Sequence, residues 1–150
     1  MADLAVSTIV SRVEAKVTAL SGWTLAPMPV DLLARSTRPL LHQSASVFAR
    51  STTMRIGGSP VGRRQGPSAG GYANTHLTVQ WAYRVRPDAY ASDIRGAYDA
   101  EATLIQALIA ATATNLHLQI ERFDRELLDT RTAILGTILI RVTHSLDLLA

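Results

Sequence analysis

Between His76 and Asp88 the chain reads HLTVQWAYRVRPD, and apolar and polar residues alternate through it. Leu77, Val79, Trp81, Tyr83 and Val85 fall on one side at a period of two; Thr78, Gln80, Ala82, Arg84 and Arg86 fall on the other. A strand buried on one face only gives this pattern. The Pro87-Asp88 step breaks the alternation, since proline has no N–H for a ladder, and Asp88 is expected to cap a helix running to about Ala111. Along that helix Ile94, Tyr98, Ala102, Ile105, Leu108 and Ile109 form one stripe, with Asp93, Arg95, Asp99 and Glu101 elsewhere. The stripe predicts a helix lying across the sheet.

The remaining periodicities supply the other elements. Residues Asp3 to Leu20 read as an amphipathic helix, with Val6, Ile9, Val10, Val13, Val17 and Leu20 on one stripe, Asp3 as its cap and Ser21-Gly22 as its end. Trp23 to Leu33 holds Pro27 and Pro29 and is expected to be an extended edge segment or a loop, with Trp23 placed over one end of the core. Ser46 to Ile56 reads as a strand anchored by Phe48. Leu116 to Phe123 sets Leu116, Leu118 and Ile120 against His117, Gln119 and Glu121, a second half-buried strand, and the charged run Asp124 to Arg131 reads as a turn. Ala133 to Leu148 alternates Ile134, Gly136, Ile138, Ile140 and Val142 with Leu135, Thr137, Leu139, Arg141 and Thr143, which predicts the longest strand at the sheet centre. The expectation is an α+β fold in the order α-β-β-α-β-β: a mostly antiparallel sheet of about four strands with two helices packed on one face.

One segment stands outside these patterns. Gly57 to Gly71, GGSPVGRRQGPSAGG, has six glycines and two prolines in fifteen residues. That composition cannot bury enough apolar surface to offset its ordering entropy, so it reads as a long, mobile Gly/Arg-rich hairpin loop carrying Arg63 and Arg64. At 150 residues the chain is expected to be a single domain, large enough to bury roughly 70% of its unfolded surface without disulfides or metals. Cysteine is absent, which removes thiolate chemistry and Cys-based zinc sites. No signal-peptide pattern and no apolar stretch of membrane-spanning length is present, and the reading is of a soluble, unexported chain with no membrane partner.

Charge changes the picture more than composition does. Between Leu32 and Pro87 stand eight arginines and no acidic residue, whereas from Asp88 onward nine acidic residues face five basic ones. A chain polarised in this way can complement itself head to tail in an oligomer, or its basic part can meet nucleic acid. Fourteen of the fifteen basic residues are arginine, which suits bidentate pairing with carboxylate or phosphate, although GC-rich coding produces the same bias.

A search for chemistry finds no catalytic constellation. There is no GxxxxGK[ST], the sole lysine being Lys16, and no GxGxxG. Ser59 in GGSPVG lacks the nucleophile-elbow pattern. His42, His76, His117 and His144 have no metal-ligand spacing and read as strand-face residues with satisfied hydrogen bonds. Glu121, Asp124, Glu126 and Asp129 interleave with Arg122, Arg125 and Arg131, the pattern of a solvated turn. The residues therefore imply no enzyme, cofactor or metal site. The interface or DNA-channel candidates are Arg63 and Arg64 on the loop and Arg84 and Arg86 on the strand; the alternative for all four is a solvated surface. Aromatic residues are not interleaved with them as a single-strand stacking platform requires.

The segments HLTVQWAYRVRPDAYASDIRGAYDAEATLIQALI and LHLQIERFDRELLDTRTAILGTILIRVTHSLDL, laid out as strand, Pro-Asp, helix, strand and long strand, resemble the tail terminator proteins of lambda-like long-tailed bacteriophages. The N-terminal amphipathic helix agrees with that family too. The resemblance implies a structural virion protein of the tail and neck, assembled in the host cytoplasm. Its subunits would form a hexameric ring at the head-proximal end of the tail tube, ending polymerisation and joining tail to head. The implied partners are further copies of the chain, the tail tube protein and a head-tail connector or neck protein, with non-specific contact to genomic DNA. The Arg/Gly loop and the basic middle depart from the family pattern. Two alternatives stay open: another neck or tail-completion connector, and a small basic nucleic-acid-binding module.

Overall fold

The computed structural model describes residues 5–25, 43–55, 72–112, 116–127 and 133–145. They form helix α1 (Val6–Thr18), strands β1 (Trp23–Leu25), β2 (Gln43–Arg55) and β3 (Tyr72–Arg84), a 3-10 turn (Pro87–Ala89), helix α2 (Tyr90–Ile109), and strands β4 (Leu116–Leu127) and β5 (Ala133–Ser145). The strands lie in one sheet of order β1-β2-β3-β5-β4. All pairs are antiparallel except β1 with β2, so the sheet is mixed and five-stranded, against the expected four. The extra strand is the short edge segment that starts at Trp23. The loop 57–71, with Arg63 and Arg64, lies outside the described residues, as do His42, Asp129 and Arg131.

The inward set read for β3 is borne out: Leu77, Val79, Trp81 and Tyr83, with Val85 just past the strand, are all buried; the strand itself begins earlier than expected, at Tyr72, and Ala82 on its other face is buried too. On α1, Ile9, Val13 and Val17 are spaced one turn apart and are fully buried against the same core. Ala5 stands at its N-cap with no side-chain bond, and Asp3 lies outside the described residues. Gly22, at φ 85°, turns the chain after the helix in the left-handed region that suits glycine. Trp23 then packs edge-on to Trp81, with ring centroids 6.4 Å apart, and closes one end of the core as expected.

Four expectations are corrected by the packing. Phe48 is no core anchor: Ala45 and Val47 take the inner side of β2, and alternation leaves Phe48 on the opposite face at 58% exposure. β5 has 13 residues, the same as β2 and β3, and lies between β3 and β4, so β3 is the central strand. Asp124 to Leu127 is no turn, since β4 runs on through it. A bulge between Ile120 and Arg122 shifts the register there, so that Phe123 lies opposite Ile138 and Arg125 opposite Gly136. Phe123, Arg125 and Leu127 are thereby brought round to the helix side.

The fourth correction concerns α2. Its inward residues are Asp93, Ala97, Glu101, Leu104 and Leu108, whereas Tyr98, Ala102 and Ile109 are exposed. The helix is turned by about one residue, roughly 100°, from the orientation its apolar stripe predicts. Nor does Asp88 cap it: Asp88 is exposed in the 3-10 turn, and Ala89 is the N-cap without a side-chain bond.

Candidate interaction surface

The rotation of α2 is explained by two arginines. Arg86, just past the end of β3, donates from its backbone N to Asp93 Oδ2 at 2.7 Å and from Nε and Nη2 to the two carboxylate oxygens at 3.0 Å. Asp93 is 3% exposed, so the arginine supplies the charge and donors that a buried carboxylate requires. Two turns along, Arg125 on β4 reaches Glu101, its Nε 3.1 Å from both carboxylate oxygens. Glu101 is 4% exposed. The two pairs fix α2 to the end of β3 and to the outermost strand.

The side-chain hydrogen bonds from Arg86 hold the Asp93 carboxyl below its ordinary pKa, burial opposing them and the Arg86 backbone N–H and charge adding to them. The linkage sign follows. A carboxyl depressed in the folded state stabilises fully above its unfolded value, about 3.9, and that contribution is lost as pH falls through the folded value. Asp93→Asn is therefore expected to cost roughly 1–3 kcal/mol at neutral pH, and the gap to the parent chain should close on acidification below about pH 4. Urea titrations along a pH series would read this; a gap constant from pH 7 to 2 would show that the carboxylate charge is not the source.

Arg86, proposed from the sequence as an interface or DNA-channel residue, is thus engaged within the chain, although its side chain remains 53% exposed. Arg84 is half-buried, and Arg86 stands just beyond the strand's last residue with an extended backbone. Arg63 and Arg64 lie outside the described residues. His144 is buried with both ring nitrogens engaged, Nε2 with Thr75 Oγ1 at 2.7 Å and Nδ1 with the Ser145 carbonyl at 2.9 Å. Thr52 extends the row, 3.0 Å from Thr75. His76 faces Glu121 at 3.5 Å, and His117 is exposed. Among the described residues no group of three or more His, Cys, Asp or Glu could hold a metal, and no helix is long and apolar enough to cross a membrane.

The face of the sheet away from the helices is largely polar, and at one end of it Ser44, Ser46, Ala82 and Ala133 are buried. Arg141 donates to Gln119 at 2.6 Å and Thr143 to Asn74 at 2.7 Å, both across strands. Phe48, Arg50, Thr78, Gln80, Arg122, Thr137 and Leu139 line a shallow concavity of about 470 Å³ there. Arg122 is paired with Asp124 at 2.9 Å.

At the β4 edge the surface changes character. The Arg125 guanidinium lies 5.4 Å from the Tyr98 ring centroid and 5.7 Å from that of Phe123, and both aromatic residues are nearly half exposed. Sequence reasoning missed this group, because Glu101 and Arg125 are 24 positions apart and a bulge intervenes. One signal was available: Asp93, Ala97, Glu101, Leu104 and Leu108 are themselves at helical spacing.

The described residues define an α+β sheet module with one helix-covered face, one largely polar face and an aromatic-arginine edge. No protein-family model and no curated protein matches the chain.

Proposed function

We propose that the chain is a tail-terminator-type ring subunit of a long-tailed bacteriophage. Six copies would sit on the head-proximal end of the tail tube, stop its growth and offer a surface to the neck or head connector. The observation that carries this reading is the succession of β3, Pro-Asp turn, α2, β4 and β5 in one sheet, with α1 packed on the same face as α2. It is the succession on which the likeness to tail terminators rests. A ring of this kind works by shape: heterologous contacts close when the rotation per subunit is right, and no chemistry is needed.

Electron microscopy of the purified protein mixed with tail tubes tests the reading. Class averages at the tube ends should show a six-fold ring on one end. Bare tubes would end it, and affinity for free duplex DNA falling steeply with salt would then favour the nucleic-acid alternative. Deleting residues 58 to 70 is expected to leave a folded subunit unable to join tails to heads; unchanged tail length and infectivity would exclude the loop from that role.

A further inference from the structure

Phe48, 58% exposed on the face of the sheet away from the helices, heads a row of side chains that crosses four strands: Phe48 lies opposite Thr78, Thr78 opposite Leu139 and Leu139 opposite Arg122. At the usual strand spacing the row spans roughly 14 Å. Arg50, exposed and left out of the β2–β3 register by the bulge between Ala49 and Ser51, lines the same concavity, as do Gln80 and Thr137. One shallow floor thus gathers an aromatic ring, two guanidiniums, an amide and two hydroxyls. Thr78 Oγ1 in that floor is buried without a hydrogen-bond partner, and so is His76 Nδ1, two residues back on the same face. Buried polar atoms are seldom left unpaired, and here two of them border one concavity.

Charge and shape indicate the ligand. β2 and β3, which supply Phe48, Arg50, Thr78 and Gln80, hold no acidic residue. Among the described residues the carboxylates of this face all belong to β4, and none lines the concavity around Phe48: Glu121 faces His76 at 3.5 Å, Asp124 pairs with Arg122 at 2.9 Å, and Glu126 lies opposite Leu135. The Arg122 and Asp124 side chains are 69% and 58% exposed, and an ion pair so exposed contributes little, so a phosphate can take the place of the carboxylate. A double helix keeps its bases stacked inside and has no use for an exposed ring. A single strand offers an unstacked base to Phe48 and phosphates to the arginines beside it. The arginines singled out from the sequence lack an interleaved aromatic residue; on β2 the ring and the cation stand two positions apart.

We infer that this face binds single-stranded nucleic acid across its strands, a base stacking on Phe48, phosphates pairing with Arg50 and Arg122, and Thr78, Gln80 and Thr137 meeting base edges. The inference goes beyond the ring-subunit reading and does not depend on it. Tail tubes, capped or bare, do not bear on it.

The test is the fluorescence anisotropy of a labelled oligothymidylate of about ten nucleotides, titrated with the full chain at low salt. Saturable binding is expected. Phe48→Ala should weaken it roughly tenfold, and Phe48→Trp should retain it, since stacking needs only a ring. Circular dichroism would verify that both variants are folded. Arg50→Ala should weaken binding and lower the slope of log affinity against log salt by about 0.7, the share of one single-strand phosphate. Arg95→Ala, at an exposed position of α2 on the helix-covered side, removes the same charge and should change neither. Absence of binding at low salt would overturn the inference. Binding that Phe48→Ala and Arg50→Ala leave unchanged would do so too, by putting the contact elsewhere on the chain. A duplex bound as tightly as the single strand, or polyglutamate competing as well as unlabelled oligothymidylate, would show that charge alone is read and would equally overturn it.

Discussion

Gly136→Ala is expected to destabilise the protein by about 3 kcal/mol, at or above the upper end for overpacking a core. Gly136 lies directly opposite Trp81 in the β3–β5 register, and a Cβ built on it would fall inside the Trp81 indole. The indole is fully buried, and Trp23 packs edge-on to it at 81°. Trp81 therefore has little room to swing aside. A glycine within a strand normally weakens it, but here the missing side chain is the space that the central tryptophan fills. The physical cause is checked by a double-mutant cycle in urea. Trp81→Leu and Gly136→Ala combined should cost less than the sum of the single variants, with coupling on the order of 1–3 kcal/mol. Strict additivity would show that the penalty arises elsewhere.

Removing Arg125 should be the next most damaging change. Arg125→Ala leaves Glu101 without its partner at a site where little water reaches it, and breaking a buried pair from one side typically costs 3–5 kcal/mol. The Arg125 side chain is 38% exposed, so water partly relieves the loss and about 3 kcal/mol is expected. The hydrogen bond to Glu101 is also the main reason that the Arg125 pKa is raised, burial acting against it. Replacing both residues by leucine should restore most of the stability, because the buried charge disappears with its partner. Chemical denaturation of the two variants measures this. A cost below about 0.5 kcal/mol for Arg125→Ala would put the pair among ordinary surface ion pairs.

These two sites illustrate why some of the architecture was legible in the sequence and some was not. β3 was read correctly from Leu77 to Tyr83 because its inward face is apolar at every second residue, although the strand begins earlier, at Tyr72, and Ala82 on the other face is buried as well. The inward set of β5, from Ile134 to Val142, was legible for the same reason. Phe48 misled because size was taken for burial, whereas strand parity had already assigned the inner side to Ala45 and Val47. β4 misled because a bulge adds one residue and reverses parity without leaving a mark in the composition. The candidate edge around Tyr98, Arg125 and Phe123 depends on that bulge and was hidden with it.

α2 gives the sharpest contrast. Its sequence holds two stripes at helical spacing, one apolar through Tyr98 and Ile109 and one containing Asp93 and Glu101. Transfer free energies alone select the first, since an isolated buried carboxylate is costly. The second wins because Arg86 and Arg125, brought close by the strand end and by β4, neutralise and hydrogen-bond the two acids. Local periodicity was enough to specify both helices, the cores of β3 and β5 and the inward residues of those two strands, because those depend on neighbours a few residues away. Sheet order, the orientation of α2 and the exposed edge it creates depend on charges and backbone irregularities far apart in the chain, and they take shape only when the elements are packed.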